Sequence, residues 1–411
     1  MANGNITFIE GGVCAAKGFR ANGIHCGIRK NHDKRDLSLI VSDVPCTAAA
    51  VYTTNLVKGA PILLDQAHLQ NGRAQAVICN SGIANTCNTD GLEKAEAMAE
   101  LCAAATGIAK EDVVVASTGV IGQPLPIAPI AEGMEALYAG LEYGNAASLR
   151  AEEGIMTTDT RPKMVAVSFT LGGKTCHLGG IAKGSGMIHP NMATMLVFLT
   201  TDVAISADLL KRALREDVQH TFNMTSVDGD TSTNDTCCIL ASGLSGNAEI
   251  MQEGEDYTVF MEALNSVTVA LCREIAGDGE GATRLLECSV RGAASLEAAR
   301  KLAKSVICSS LVKAAMFGAD ANRGRVLCAL GYAGVMVDVA KVDVRFRSAA
   351  GEILVCRDGC GVPFDEDVAR KILLEKEIDI LVSLGDGEAE ATAWGCDLSY
   401  DYVKINGDYR T

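Results

Sequence analysis

The chain has 411 residues, of which 48% are hydrophobic and 21% charged, with a formal net charge of −15. That length and composition describe a globular chain with room for one or two large cores, not a disordered one. The acidic balance leaves no basic excess to neutralise phosphate, so neither nucleic acid nor an anionic membrane is an expected partner.

The first residues lack the charged-then-apolar order of a secretion signal. No apolar run reaches the roughly 18 residues of a membrane helix, and a cytoplasmic location is expected. Sixteen cysteines are scattered without a CxxC pair, several inside apolar segments (Cys79, Cys102, Cys308, Cys328). They read as reduced, core-filling thiols. Neither a structural metal nor a cofactor is expected.

In chain order, residues 37–44, 47–53 and 75–79 are apolar runs between turn signals and read as strands. Residues 80–85 follow as a polar turn, and 91–105 carries apolar residues at helical spacing. A strand at 113–116 ends in Ser117-Thr118-Gly119. Helices are expected at 132–140 and 146–153. A hydroxyl-rich loop containing Thr157, Thr158 and Thr160 precedes a strand at 164–170. Gly172-Gly173-Lys174-Thr175 resembles the end of a phosphate loop, but that motif's first glycine falls on Ser168 and no helix follows.

Further on, 207–219 reads as a helix and 221–236 as a polar, acid-rich turn before the apolar 237–241. Asp228, Asp230 and Asp235 in that turn do not have calcium-loop spacing. A long helix at 257–275 ends in a glycine-rich loop holding Glu280. Strands are expected at 286–292, 326–330 and 334–347, helices at 296–306 and 365–375. Residues 378–384 and 387–393 suggest a hairpin around Gly385-Asp386-Gly387. Chain ends usually fray.

The stretch from Lys183 to Asp202, KGSGMIHPNMATMLVFLTTD, organises the rest. Gly184 and Gly186 punctuate its start, His189-Pro190-Asn191 makes a turn, and residues 195–199 are a buried-strand run. Thr194 sits where turn becomes run. By pattern alone it is a β-branched residue opening a strand; a hydroxyl held at a strand end after mobile backbone also suits a nucleophile.

The segments Lys183-Gly184-Ser185-Gly186-Met187-Ile188 and Pro190-Asn191-Met192-Ala193-Thr194-Met195-Leu196 resemble the self-cleavage segment of the ornithine acetyltransferase family, the glutamate N-acetyltransferases. The similarity extends over nearly the whole chain. It includes Thr118-Gly119, the MTTDT loop, DGDTSTND, GDGEG and the C-terminus. One departure is Ile83, where the family usually has a second Asn. The resemblance implies cleavage between Ala193 and Thr194, giving an α chain of 1–193 and a β chain of 194–411, paired into a dimer of heterodimers.

The same resemblance implies that Thr194 is the nucleophile and that Thr118 and Gly119 form the oxyanion hole. Thr157 (with Thr158 as the alternative), Lys183, Glu280, Asn406 and Thr411 are implied substrate contacts. The implied reaction is ping-pong: Thr194 takes acetyl from N2-acetyl-L-ornithine, ornithine leaves, and L-glutamate accepts the acetyl to give N-acetylglutamate. Acetyl-CoA as a second donor is left open.

The chemistry of such a site is self-consistent. Thr194 Oγ attacks the Ala193 carbonyl, and water hydrolyses the resulting ester. The freed α-amino group, with a reference pKa of about 7.7–8.0, then serves as base for its own hydroxyl. None of the six histidines is needed. An α+β fold with sheets packed between helices is expected, and the family adds an N-terminal-nucleophile-like architecture. The alternatives are a self-processing aminopeptidase or amidohydrolase using water as acceptor, and a non-catalytic binding protein that stays uncut.

Overall fold

The computed structural model describes residues 6–189 and 195–408. Their contacts form two units: residues 6–184, 195–219 and 231–271 make the first, and 185–189, 220–230 and 272–408 the second.

The first unit is built on a nine-stranded sheet. Its order is Thr7–Ile9, Met164–Leu171, Lys174–Lys183, Leu196–Thr201, Thr236–Ala241, Leu37–Tyr52, Arg73–Ile83 and Val113–Val120, with Phe19–Ile24 also paired to Leu37–Tyr52. Leu196–Thr201 lies parallel to Thr236–Ala241 and antiparallel to Lys174–Lys183. Every residue of those first two strands is buried. Strands covered on both faces need no alternation, which is why they read as continuous apolar runs. The helices Asn145–Ile155, Ala60–His68 and Ala207–Asp217 pack against the sheet. This is the α+β mixture of strands and helices expected from the sequence.

Two local expectations fail here. Residues 37–44 and 47–53 are not two strands but one, Leu37–Tyr52, and its pairing with Arg73–Ile83 shifts register between Val41 and Cys46. Pro45 falls in that bulge, where its missing N–H costs no ladder bond. Residues 80–83 are not a turn. They extend Arg73–Ile83, because the parallel partner Val113–Val120 continues beside them, with Ser81 opposite Thr118 and Gly82 opposite Gly119.

The second unit has a seven-stranded sheet, ordered Cys360–Gly361, Gly351–Arg357, Asp343–Ser348, Glu377–Ser383, Leu285–Ala293, Ala389–Cys396 and Thr225–Ser226. The helix Leu296–Cys308 packs on Leu285–Ala293 and Ala389–Cys396. Glu377–Ser383 and Ala389–Cys396 do not form the expected hairpin: Leu285–Ala293 lies between them, parallel to one and antiparallel to the other.

Residues 326–330 belong to a helix, Arg323–Gly331, whose Asn322 cap accepts a hydrogen bond from the Arg325 N–H. It buries Val326, Ala329 and Leu330 at helical spacing, and Cys328 faces solvent. Of 334–347 only the last residues are strand, in Asp343–Ser348. The chain end holds a helix, Tyr400–Asp408. None of the sixteen cysteines forms a disulfide. Among the described residues no helix is long and apolar enough to cross a membrane.

Candidate active site

In the first unit, Thr118 and Gly119 lie near the end of Val113–Val120. Gly119 has φ +128, and a Cβ there would sit 2.2 Å from the carbonyl carbon of Gly82. Gly82 itself has φ +108. The two strands close on each other at this rung only because Gly119 has no side chain.

A turn from the DGDTSTND segment pins this strand end. Asn234 donates through Nδ2 to the carbonyls of Ala84 (2.6 Å) and Ser117 (3.0 Å). Its Oδ1 accepts from Thr86 Oγ1 and Thr233 Oγ1, both at 2.6 Å. The backbone leading into Thr118 is therefore held by a fully bonded buried amide.

Lys183 ends Lys174–Lys183, pairs with Leu196, and is only 7% exposed. Its charge is felt by Asp159, Glu152, Asp235 and Cys79. Burial alone would raise the Asp159 carboxyl; Lys183 and Lys163 outweigh it and hold the group well below the usual carboxylate range. For Glu152 and Asp235 burial wins, and both carboxyls are pushed well up despite nearby lysine charge.

Asp159 is the hub of this region. Its Oδ1 accepts from Lys163 Nζ and from the Gly184 N–H, both at 2.7 Å, and its Oδ2 from the Thr157 N–H at 2.9 Å. The hydroxyl-rich loop is thus tied to the backbone immediately after Lys183. Asn234 and Asp235 are neighbours in sequence. One holds the carbonyl before Thr118 and the other lies within the field of Lys183. The strand end and the lysine therefore converge on one turn.

In the second unit, Glu280 is 9% exposed and accepts from Asn406 Nδ2 at 2.7 Å. Its N–H donates to the Ser185 carbonyl, and Ser185 Oγ donates to the Asp278 carbonyl. A Cβ on Gly186 would lie 2.4 Å from the Glu280 carboxyl group, so a side chain there would displace that carboxylate. His189 Nδ1 lies 3.1 Å from Ser226 Oγ and 3.5 Å from Cys308 Sγ. Burial, reinforced by Lys304 and opposed by Asp228, lowers its pKa from 6.5 to about 4.

The first unit thus gathers Thr118, Gly119, Thr157 and Lys183, and the second joins Glu280 to Asn406. Ala193, Thr194 and Thr411 lie outside the described residues. Sequence reasoning missed Asp159 and the particular role of Asn234. For Asp159 no local pattern marked the role: an Asx turn bonds backbone two residues on, and here the donor, the Thr157 N–H, lies two residues before. For Asn234 only the polar turn itself was visible. Among the described residues no three His, Cys, Asp or Glu side chains gather as a metal site.

A Symbiobacterium thermophilum protein described as arginine biosynthesis bifunctional protein ArgJ is 52% identical over 406 residues, 98% of this chain and 100% of that protein. A Bacillus halodurans crystal structure of arginine biosynthesis bifunctional protein ArgJ is 42% identical, with a TM-score of 0.50, and covers 52% of this chain and 98% of that one. A Mycobacterium tuberculosis structure, described as ornithine acetyltransferase complexed with ornithine, is 38% identical over 46% of this chain and 100% of that one, with a TM-score of 0.43. The sequence pattern of the ArgJ family matches residues 20–411, and the chain belongs to that family.

Proposed function

We propose that this ArgJ-family enzyme, an acetyltransferase of arginine biosynthesis, works through a threonine that it exposes by cutting itself between Ala193 and Thr194. Thr194 Oγ attacks the Ala193 carbonyl, the peptide nitrogen leaves as the new α-amine, and water hydrolyses the ester. The mature threonine takes acetyl from N2-acetyl-L-ornithine as an ester, releases ornithine, and passes the acetyl to the amine of L-glutamate. Its α-amine carries the proton in both halves.

The observation that carries this reading is the convergence of the Ser-Thr-Gly strand end and Lys183 on the Asn234–Asp235 turn. Chain continuity supports it. Lys183 pairs with Leu196, and the Met195 carbonyl accepts from the Thr236 N–H at 2.9 Å, so the residue following Thr194 is fastened to the same turn. The half-length Bacillus halodurans chain, matched over 98% of itself, also fits a cut near the middle.

In this scheme Thr118 and Gly119 donate to the oxyanion, where such donors typically contribute a few kcal/mol. Lys183, Thr157, Glu280, Asn406 and Thr411 recognise the amino-acid ends of the substrates. Acetyl-CoA serves as a second donor at the same threonine, in keeping with the word bifunctional in the relatives' names. No metal or other cofactor is used. The working assembly is two α and two β chains, in the cytoplasm.

Intact mass of the purified wild type and of Thr194→Ala tests the scheme. Fragments ending at Ala193 and beginning at Thr194 are expected for the wild type, with acetyl moving from acetylornithine to glutamate. The variant is expected to remain one inactive chain. A wild type that stays whole overturns the mechanism.

A further inference from the structure

Met187 has φ +56, a left-handed conformation that residues with a Cβ avoid unless their surroundings impose it. The surroundings here are one side chain. Asp228 Oδ2 accepts from the Met187 N–H at 2.6 Å, and Oδ1 accepts from the Ile188 N–H at 2.9 Å. The residues just before Asp228 complete the grip: the Ile188 carbonyl accepts from the Val227 N–H at 2.7 Å and from Ser226 Oγ at 3.2 Å. Ile188 is itself buried. The turn is therefore bonded on both its donor and its acceptor side.

The same carboxylate faces Tyr402, whose hydroxyl pKa is pushed up by burial and then by the Asp228 charge. Tyr402 and Asn406 are one turn apart on Tyr400–Asp408, and Asn406 binds Glu280. That helix face thus bonds Glu280 through Asn406 and turns Tyr402 toward the Asp228 charge. The chemistry set out above uses Glu280 and Asn406 but assigns no role to Asp228 or Tyr402. In sequence, Met187 and Ile188 come shortly before Ala193 and Thr194, and only a few residues separate the strained turn from the bond to be cut.

We propose that Asp228 is a positioning residue for self-cleavage: it holds the left-handed Met187 turn from which the segment carrying the Ala193–Thr194 bond departs. The same carboxylate faces Tyr402 on the helix that presents Asn406 to Glu280. The proposal rests on the self-cleavage reading above. Conversion of a peptide bond by an adjacent hydroxyl needs the attacking atom close to its line of approach, and small displacements cost large factors in rate.

The test compares full-length wild type, Asp228→Asn and Tyr402→Phe after cell-free synthesis. It follows the uncut fraction by intact mass over time, with thermal unfolding measured alongside. Asn keeps the shape but sets an NH2 donor against a backbone N–H donor. D228N is expected to be cut at least about tenfold more slowly, with Tm within a few degrees of wild type. Y402F leaves the turn bonded and is expected to be cut at the wild-type rate, while its KM for N2-acetylornithine rises about threefold or more.

D228N cut as fast as wild type overturns the proposal and leaves Asp228 a structural residue only. If D228N does not fold, Met187→Gly decides. Glycine enters and leaves the left-handed turn freely, so cleavage slows several-fold; an unchanged rate overturns the proposal. A wild type that is never cut sinks the self-cleavage reading itself, a different outcome from a cut wild type beside an equally cut D228N.

Discussion

At Gly119 a single methyl group would meet the Gly82 carbonyl carbon at 2.2 Å, with no flexible side chain to give way. Gly119→Ala must push the paired strands apart and is expected to lose about 2–3 kcal/mol of stability, measured by urea unfolding. Thr118 is half-buried and makes no such demand. Its replacement by Ala is expected to lower kcat about a hundredfold with KM nearly unchanged, the sign of a donor used in the transition state. Wild-type kcat in Thr118→Ala would remove the hydroxyl from the oxyanion hole. The Thr-Gly pair stood out in the sequence through the family motif. The part played by Asp159 did not, because its bond to the Gly184 N–H joins the loop to a segment 25 residues further on.

Among the elements, the turn carrying Asn234 is held by bonds to residues far away in the chain, Thr86, Ala84 and Ser117. Asn234→Ala leaves the buried carbonyls of Ala84 and Ser117 without their donor. It is expected to cost about 2–3 kcal/mol and to lower kcat by loosening the backbone at Thr118. Asn234→Asp keeps the size and reverses two donors, and should behave no better. The misread elements have two causes. Residues 326–330 form an apolar run too short for periodicity to separate helix from strand, and the Asn322 cap decided for helix. The apparent hairpin at 378–393 was split by Leu285–Ala293, a partner almost a hundred residues away. Pairing of that kind leaves no mark on the segments it separates.

For the molecule as a whole, each of the two units draws residues from both sides of residue 193. A cut there divides neither core, and the two fragments are expected to co-elute in native chromatography and to separate only in denaturant. Acid stability carries a second signature. As pH falls below 6.5 the unfolded chain protonates at His189, while the folded chain resists until about pH 4. The unfolded state then binds more protons, so stability falls with pH across that window, and above 6.5 the group contributes no slope. His189→Gln should show a shallower loss between pH 6.5 and 4 in pH-dependent urea unfolding. An unchanged slope would mean the ring is protonated in the fold.

The sequence by itself determined the α+β class, the buried strand at Leu196–Thr201, the glycine pattern and the family chemistry, because these rest on composition, periodicity and contiguous motifs. Tertiary structure alone decided which distant groups meet. It set Asp159 between the hydroxyl-rich loop and Gly184, Asn234 against the Ser117 carbonyl, and Asp228 beneath the Met187 turn. Those meetings depend on loop closure between segments far apart in the chain. Closure cost grows so slowly with length that no local pattern in either segment announces its partner.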